Sequence, residues 1–209
     1  MQELYILGDF FDAWIGDDDD RLLAQDVALA LKQTADAGCK LFFMHGNRDF
    51  LLGSAYAKRC GMSLLPEILP LENSGIVLCH GDHLCTQDRA YQSFRTQVRS
   101  PDWQAQFLAQ PLAARRAFAT QARAQSQAHQ RELIATIADV DNDAVNELQL
   151  AHPGLTIIHG HTHRPGIHQL RHGQRVVLGD WRENEPSWLC LEGGEGTLVA
   201  HGQNWRFKV

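Results

Sequence analysis

The chain has 209 residues, 44% of them hydrophobic and 21% charged, a composition that belongs to a globular protein with apolar material enough for a core. No apolar stretch approaches the roughly 20 residues of a membrane-spanning helix, and the N-terminal MQELYILGDFFD has neither the basic start nor the unbroken apolar run of a secretory signal. The formal charge is −6, but residues 89–131 hold seven arginines against the single acid Asp102, so +6 there leaves −12 for the rest.

Residues 4–7 are a short apolar run that ends at Gly8-Asp9 and predict a buried strand. Over 21–37 the apolar positions Leu22, Leu23, Val27, Ala30 and Leu31 fall near helical spacing, and Gly38 follows as a helix-stopping glycine. A second buried strand, 41–44, runs into His45-Gly46-Asn47-Arg48-Asp49, and a short helix over 55–60 ends at Gly61. A third strand, 76–79, runs into His80-Gly81-Asp82. Strands that end in polar, glycine-containing loops, with helices between them, predict an α/β fold whose ligands lie outside the strand ends. From 88 to 150 the chain is helical in composition, rich in Ala, Gln and Arg and broken at Pro101 and Pro111. It is read as a helical insertion, a lid, within one α/β (α+β sandwich) domain spanning 1–209. Short β-like runs at 155–158, 176–178, 188–191 and 197–200, separated by turns, predict a closing and largely antiparallel sheet.

Four motifs at strand ends carry the chemistry: Gly8-Asp9, Gly46-Asn47-Arg48-Asp49, His80-Gly81-Asp82 and Gly160-His161-Thr162-His163. Taken singly, each has an ordinary reading as a turn, a surface ion pair or a chance histidine cluster. In this order, each behind an apolar run, they predict a metal site. Aspartate, asparagine and histidine form a mixed oxygen and nitrogen donor set that suits Mn²⁺, Fe²⁺, Zn²⁺ or Co²⁺. Residues two apart on extended backbone share a face, so His161 and His163 can serve one centre. Two ions about 3.5–4 Å apart can clamp a phosphoryl group for in-line attack by water. The five cysteines are odd in number and contain no Cys-x-x-Cys pair, which argues against a disulfide framework or a thiolate zinc site and fits a reducing cytosol.

The order of these motifs resembles the calcineurin-like metallophosphoesterase superfamily. With Arg48 after the asparagine, and with YILGDFFDAWIGDD, HGNRDFLLG, GMSLLPE, HGDHLCTQDRAYQSFR and IHGHTHRP, the chain resembles one family within it, the UDP-2,3-diacylglucosamine pyrophosphohydrolases of Gram-negative lipid A synthesis. That resemblance implies water attack on the α-phosphorus of an acylated UDP-sugar, releasing UMP and 2,3-diacylglucosamine 1-phosphate, with a pair of Mn²⁺ ions. It implies Asp9, Asn47, His80, His161 and His163 as metal ligands, with Asp9 bridging. It implies Asn47, Arg48 and His161 at the reacting phosphate, and Asp88, Ser126 and Gln130 as further substrate contacts. Asp49 and Asp82 are expected to orient the ligands. At the position of the family's lysine stands Leu133.

The resemblance also implies a β-α unit of roughly 30 residues ahead of the first strand, carrying an Asp-x-His pair for the first metal. A start codon placed too late accounts for its absence, a damaged gene product being the other explanation. On the chain as it stands, one of the two metal sites is expected to be impaired. In the insertion, Trp103, Phe107, Leu108, Leu112 and Phe118 lie among arginines. They read either as core packing or as a chamber for acyl chains, with Arg115 and Arg116 toward lipid phosphates. The second reading places the protein in the cytoplasm, peripheral on the inner face of the inner membrane. No protein partner is expected, and no nucleic acid, because the chain outside the insertion is acidic and shows no interleaved basic and aromatic motif. Two alternatives stay open: a phosphodiesterase on soluble nucleotides, and a metal-deficient binding module.

Overall fold

The computed structural model describes residues 2–132, 139–182 and 184–209. The chain forms two compact units, Met1–Pro66 with Asp88–Thr136, and Glu67–Gln87 with Ile137–Val209. Both are mixtures of helix and sheet, as the α/β reading expects.

In the first unit, strands β1 (Glu3–Ile6), β2 (Lys40–Phe43) and β3 (Met62–Leu64) run parallel in the order β1-β2-β3. Parallel neighbours need crossovers, supplied here by helices α1 (Leu22–Asp36) and α2 (Ser54–Cys60). The α1 stripe Ala24, Ala28 and Leu31 is buried with Leu41 and Phe43 of β2. Gly61 ends α2 in the left-handed region, at φ 72°. The N-terminus of α2 has only Gly53 as its cap, so the capping is done from afar. Asp17 accepts from the Gly53 N–H at 2.8 Å and the Tyr56 N–H at 2.9 Å. Phe11, Trp14 and Tyr56 pack together beneath this loop, with ring centroids 4.6 Å and 4.2 Å apart. Each such burial stabilises by roughly 1.5–3 kcal/mol.

The same unit holds α3 (Arg89–Val98), α4 (Pro101–Leu108) and α5 (Leu112–Glu132). The breaks stand where the sequence puts proline. Pro101 occupies the first turn of α4, where its missing N–H costs nothing, and Ser100 caps it. Trp103 and Phe107 stack at 4.8 Å and join the core, as the packing reading expects, whereas Leu108 and Phe118 are partly exposed.

In the second unit, a five-stranded sheet has the order β4-β5-β6-β8-β7, formed by β4 (Ile68–Leu71), β5 (Ile76–Cys79), β6 (Thr156–His159), β7 (Gly166–Leu170) and β8 (Gly173–Val177). Its inner strands β5, β6 and β8 are parallel, and β4 and β7 pair antiparallel at the edges. For the runs 155–158 and 176–178 this corrects the expectation of a largely antiparallel closing sheet, which holds for 188–191 and 197–200. β7 swings to the edge and lets β8 return beside β6. A separate antiparallel sheet comprises β9 (Trp188–Glu192), β10 (Glu195–Ala200) and β11 (Gln203–Lys208). Its two hairpins turn on Gly193-Gly194 and His201-Gly202, all four at positive φ, as two-residue turns of the I′ kind require. Of the five free cysteines, Cys190 on β9 is exposed and the other four are buried.

Helix α6 (Asn142–Ala151) packs Val145 and Leu148 against Val77, Cys79, Leu84 and Ile157 of the second unit. The helical stretch 88–150 is thus shared between the units, with α3–α5 in the first and α6 in the second. No helix among the described residues is long and apolar enough to cross a membrane.

Candidate functional site

In the first unit, Gly8-Asp9 follows β1, and residues 44–49 follow β2. Parallel, adjacent strands bring the two loops side by side, and the Met44 N–H donates to the Ile6 carbonyl. Asp9 Oδ1 accepts from the Arg48 N–H at 3.0 Å, and the Arg48 Nε lies 3.2 Å from Asp9 Oδ2. The buried Asp49 joins the loops a second time, since it accepts from the Gly46 N–H at 2.8 Å and the Phe10 N–H at 2.7 Å. Both bonds go to main-chain N–H groups, one in each loop. A Cβ on Gly46 would collide with the Asp9 backbone nitrogen and carboxylate, so only glycine lets the loops close. Arg99, the C-cap of α3, props the same loop by donating to the Gly46 carbonyl at 3.0 Å, with its guanidinium over the Phe50 ring.

Arg48 has a further neighbour that sequence reasoning missed. The Asp12 carboxylate lies 3.4 Å from Arg48 Nη1 and 3.3 Å from Arg123 Nη2 on α5. One exposed carboxylate therefore holds two guanidinium groups together. Burial, and then the positive charge of Arg48, push the Arg123 pKa below its ordinary value. The signal available in the sequence was only an acid in a loop and an arginine 111 residues on. Asn47 is half-buried in the 44–49 loop.

In the second unit, β5 leads into His80-Gly81-Asp82, and β6 leads into Gly160-His161-Thr162-His163. The Gly160 N–H donates to the His80 carbonyl at 3.0 Å, and the His80 and His161 rings approach with centroids 5.1 Å apart. Behind them lies His159, fully buried; burial, with the Arg175 charge beside it, pushes its pKa down to about 3. The sequence reading placed His161 and His163 at a site and left His159, two residues before them, out of it.

Backbone strain falls where ligands are expected. Five non-glycine residues described have positive φ, and three of them are Asp9 (54°), His161 (63°) and His163 (55°). Such conformations cost of order 1–3 kcal/mol each and persist where the surroundings enforce them. Each unit by itself offers donors of a kind that suits borderline divalent ions: a nearly buried carboxylate in the first, two close imidazoles in the second. Glu67, Asp82 and His83 form another group in the second unit, with donor atoms within 4.8 Å of one another.

Other expectations meet different surroundings. Asp88 is the N-cap of α3 and accepts from the Tyr91 N–H at 3.0 Å. Ser126 is half-buried on α5. Gln130 and Leu133 lie outside the residues whose side chains are described. Arg115 is not turned outward to lipid phosphates, which corrects that reading for this residue. Arg115 is 3% exposed and donates to the Ile15 carbonyl at 2.6 Å and to Asp18. Arg116 pairs with Asp20. The acidic run 17–20 had already claimed them.

No family model matches the chain. Curated relatives do. A UDP-2,3-diacylglucosamine hydrolase of Cellvibrio japonicus is 52% identical over 210 residues, covering 98% of this chain and 85% of the relative. One from Xanthomonas oryzae pv. oryzae is 52% identical over 193 residues, covering 86% and 78%. One from Stenotrophomonas maltophilia is 51% identical over 208 residues, covering 93% and 84%. Among solved structures, Vps29 of Cryptosporidium parvum aligns with TM-score 0.45 at 11% identity, over 99% of this chain and 97% of that one. A Vps29 single mutant from Entamoeba histolytica aligns with TM-score 0.42 at 13% identity, over 100% and 99%.

Proposed function

The chain belongs to the UDP-2,3-diacylglucosamine hydrolase family, and from that premise we propose that it hydrolyses the pyrophosphate of UDP-2,3-diacylglucosamine to UMP and 2,3-diacylglucosamine 1-phosphate in lipid A synthesis. The observation that carries this is 52% identity across 98% of the chain. The strained backbone at Asp9, His161 and His163 supports the site assignment.

The proposed metal ligands are Asp9, Asn47, His80, His161 and His163, with a pair of Mn²⁺ ions. When bound, such ions supply Lewis-acid polarisation of a phosphoryl oxygen. The chain's own residues do the rest. Arg48 is the cation proposed to meet the pyrophosphate, because a planar fork of donors matches charge growing on phosphoryl oxygens. Asp9 and Asp12 fix the plane of that fork, and Asn47 beside it carries an amide donor toward the same phosphate. His161 would stand at the reacting phosphate as well as in the ligand set. Asp88, Ser126 and Gln130 are proposed to contact the sugar and acyl portions. Attack by water on the α-phosphorus leaves UMP.

A substrate with two acyl chains resides in a bilayer, so attachment at the cytoplasmic face of the inner membrane is part of this reading. The partly exposed Leu108 and Phe118, rather than the buried Arg115, are side chains suited to it.

The test is Mn²⁺-dependent UMP release from UDP-2,3-diacylglucosamine, with UDP-glucose and a soluble dinucleotide pyrophosphate assayed beside it. Preference for the acylated sugar is expected. Turnover of the soluble compounds alone would move the assignment to a nucleotide phosphodiesterase.

A further inference from the structure

We propose that His159 and Arg175 form a positioning pair that sets the Gly160–His163 loop; this rests on the reading of His80, His161 and His163 as metal ligands. His159 ends β6 with its ring wholly buried, and Arg175 lies on the neighbouring strand β8, 8% exposed. Arg175 Nη1 is 3.1 Å from His159 Nε2, and His159 Nδ1 is 2.9 Å from the Gly160 carbonyl oxygen.

The chemistry of the partners fixes the tautomer. A guanidinium can only donate, so Nε2 must present its lone pair. The proton then sits on Nδ1 and is donated to the Gly160 carbonyl. The ring is neutral, and both its nitrogens are used.

The consequence lies in the main chain. The two peptide groups that flank Gly160 are both held. The first donates its N–H to the His80 carbonyl at 3.0 Å. The second, which carries the nitrogen of His161, is held through its carbonyl by the His159 ring. His161 follows at φ 63° and His163 at 55°. A strained conformation persists only where several restraints agree, and these are two of them. The other histidine loop is fitted to the same ring: a Cβ on Gly81 would sit 2.7 Å from His159 Nδ1. One imidazole thus registers the loop after β5 and the loop after β6. Arg175 is itself placed against Asp139, 4.0 Å away, whose other oxygen pairs with Arg164 at 2.9 Å.

The test uses the full chain, stripped of metal and titrated with Mn²⁺ alone by calorimetry, with thermal unfolding of each variant measured in parallel. His159→Phe fills the space but cannot donate, and its Mn²⁺ affinity is expected to fall about 10–100-fold. His159→Asn restores a donor at the Nδ1 position and is expected to recover most of the loss. His161→Ala separates the two ideas. If it leaves Mn²⁺ binding unchanged, the ligand reading fails. If it abolishes binding while a folded His159→Phe binds as the parent does, the positioning proposal fails alone. Should His159→Phe not fold, ¹⁵N NMR of the unsubstituted protein decides: protonated Nδ1 with bare Nε2 is expected, and protonated Nε2 would overturn the proposal.

Discussion

Arg115→Met removes a guanidinium that ties the first turns of α5 to the loop after Trp14. The side chain is 3% exposed and makes three kinds of bond: to the Ile15 carbonyl at 2.6 Å, to the Gln110 carbonyl at 2.9 Å and to the Asp18 carboxylate. Asp18 is 60% exposed, so its ion pair is screened and contributes about 0.2–1 kcal/mol. The Ile15 carbonyl is buried with its residue, and leaving such a group unpaired costs about 1–3 kcal/mol. Methionine keeps most of the volume, so no large cavity adds to the sum. The expected loss is about 2–4 kcal/mol, or roughly 5–15 °C in Tm for a chain of this size. Circular dichroism melts read it directly. Arg115→Lys, which keeps charge without the fork, is expected to fall between. Sedimentation with anionic vesicles is expected to be unchanged for the methionine variant once folded. A melting shift below about 2 °C, or lost vesicle binding at unchanged stability, would refute the reasoning. The pH dependence has a definite sign. The Arg115 hydrogen bond holds Asp18 below the ordinary carboxylate pKa. Its contribution is therefore complete above that ordinary value, is lost as pH falls through the lowered one, and is absent in Asp18→Asn.

At the proposed phosphate contact, Arg48→Lys is expected to lower kcat about 10²–10³-fold with little change in Tm, because one ammonium cannot replace the fork; steady-state kinetics decide it. Gly46→Ala is expected to weaken Mn²⁺ binding and activity together, since its new methyl meets the Asp9 backbone rather than a movable side chain; an unaltered Mn²⁺ titration would count against that. Asp12→Ala removes an 84% exposed carboxylate and is expected to leave Tm within about 2 °C while changing KM several-fold, because Arg48 and Arg123 then repel without a shared counter-ion. Equal kinetics in the two proteins would show that the bridge is incidental.

What the sequence made legible follows the range over which each signal acts. Ile76–Cys79 is a strand with the predicted bounds because four buried apolar residues end at a polar glycine loop. α4 begins at Pro101 because proline both breaks one helix and starts the next. The loops at Asp9, Asn47, His80 and His161 were found because each motif is contiguous. β3, β4, β7 and β11 were missed: Met62–Leu64 and Ile68–Leu71 are very short, and Gly166–Leu170 and Gln203–Lys208 carry few β-branched residues, so cross-strand pairing makes them strands. Asp12 with Arg123, Asp17 with α2, and Arg175 with His159 were equally hidden. Such partners lie far apart in the chain, and no local pattern marks an acid or arginine as already taken. Arg115 shows the reverse error, a member of a basic run read as surface when its guanidinium is buried.

The cysteine arrangement gives the protein a built-in chemical handle. Four thiols are buried, and burial raises Cys60 to about 11, so little thiolate forms there at neutral pH. Cys190 stands exposed on β9, close to the open Gly193-Gly194 turn. A maleimide dye added at neutral pH should therefore label one known strand of the unaltered chain, which would let binding be followed by fluorescence without introducing any substitution.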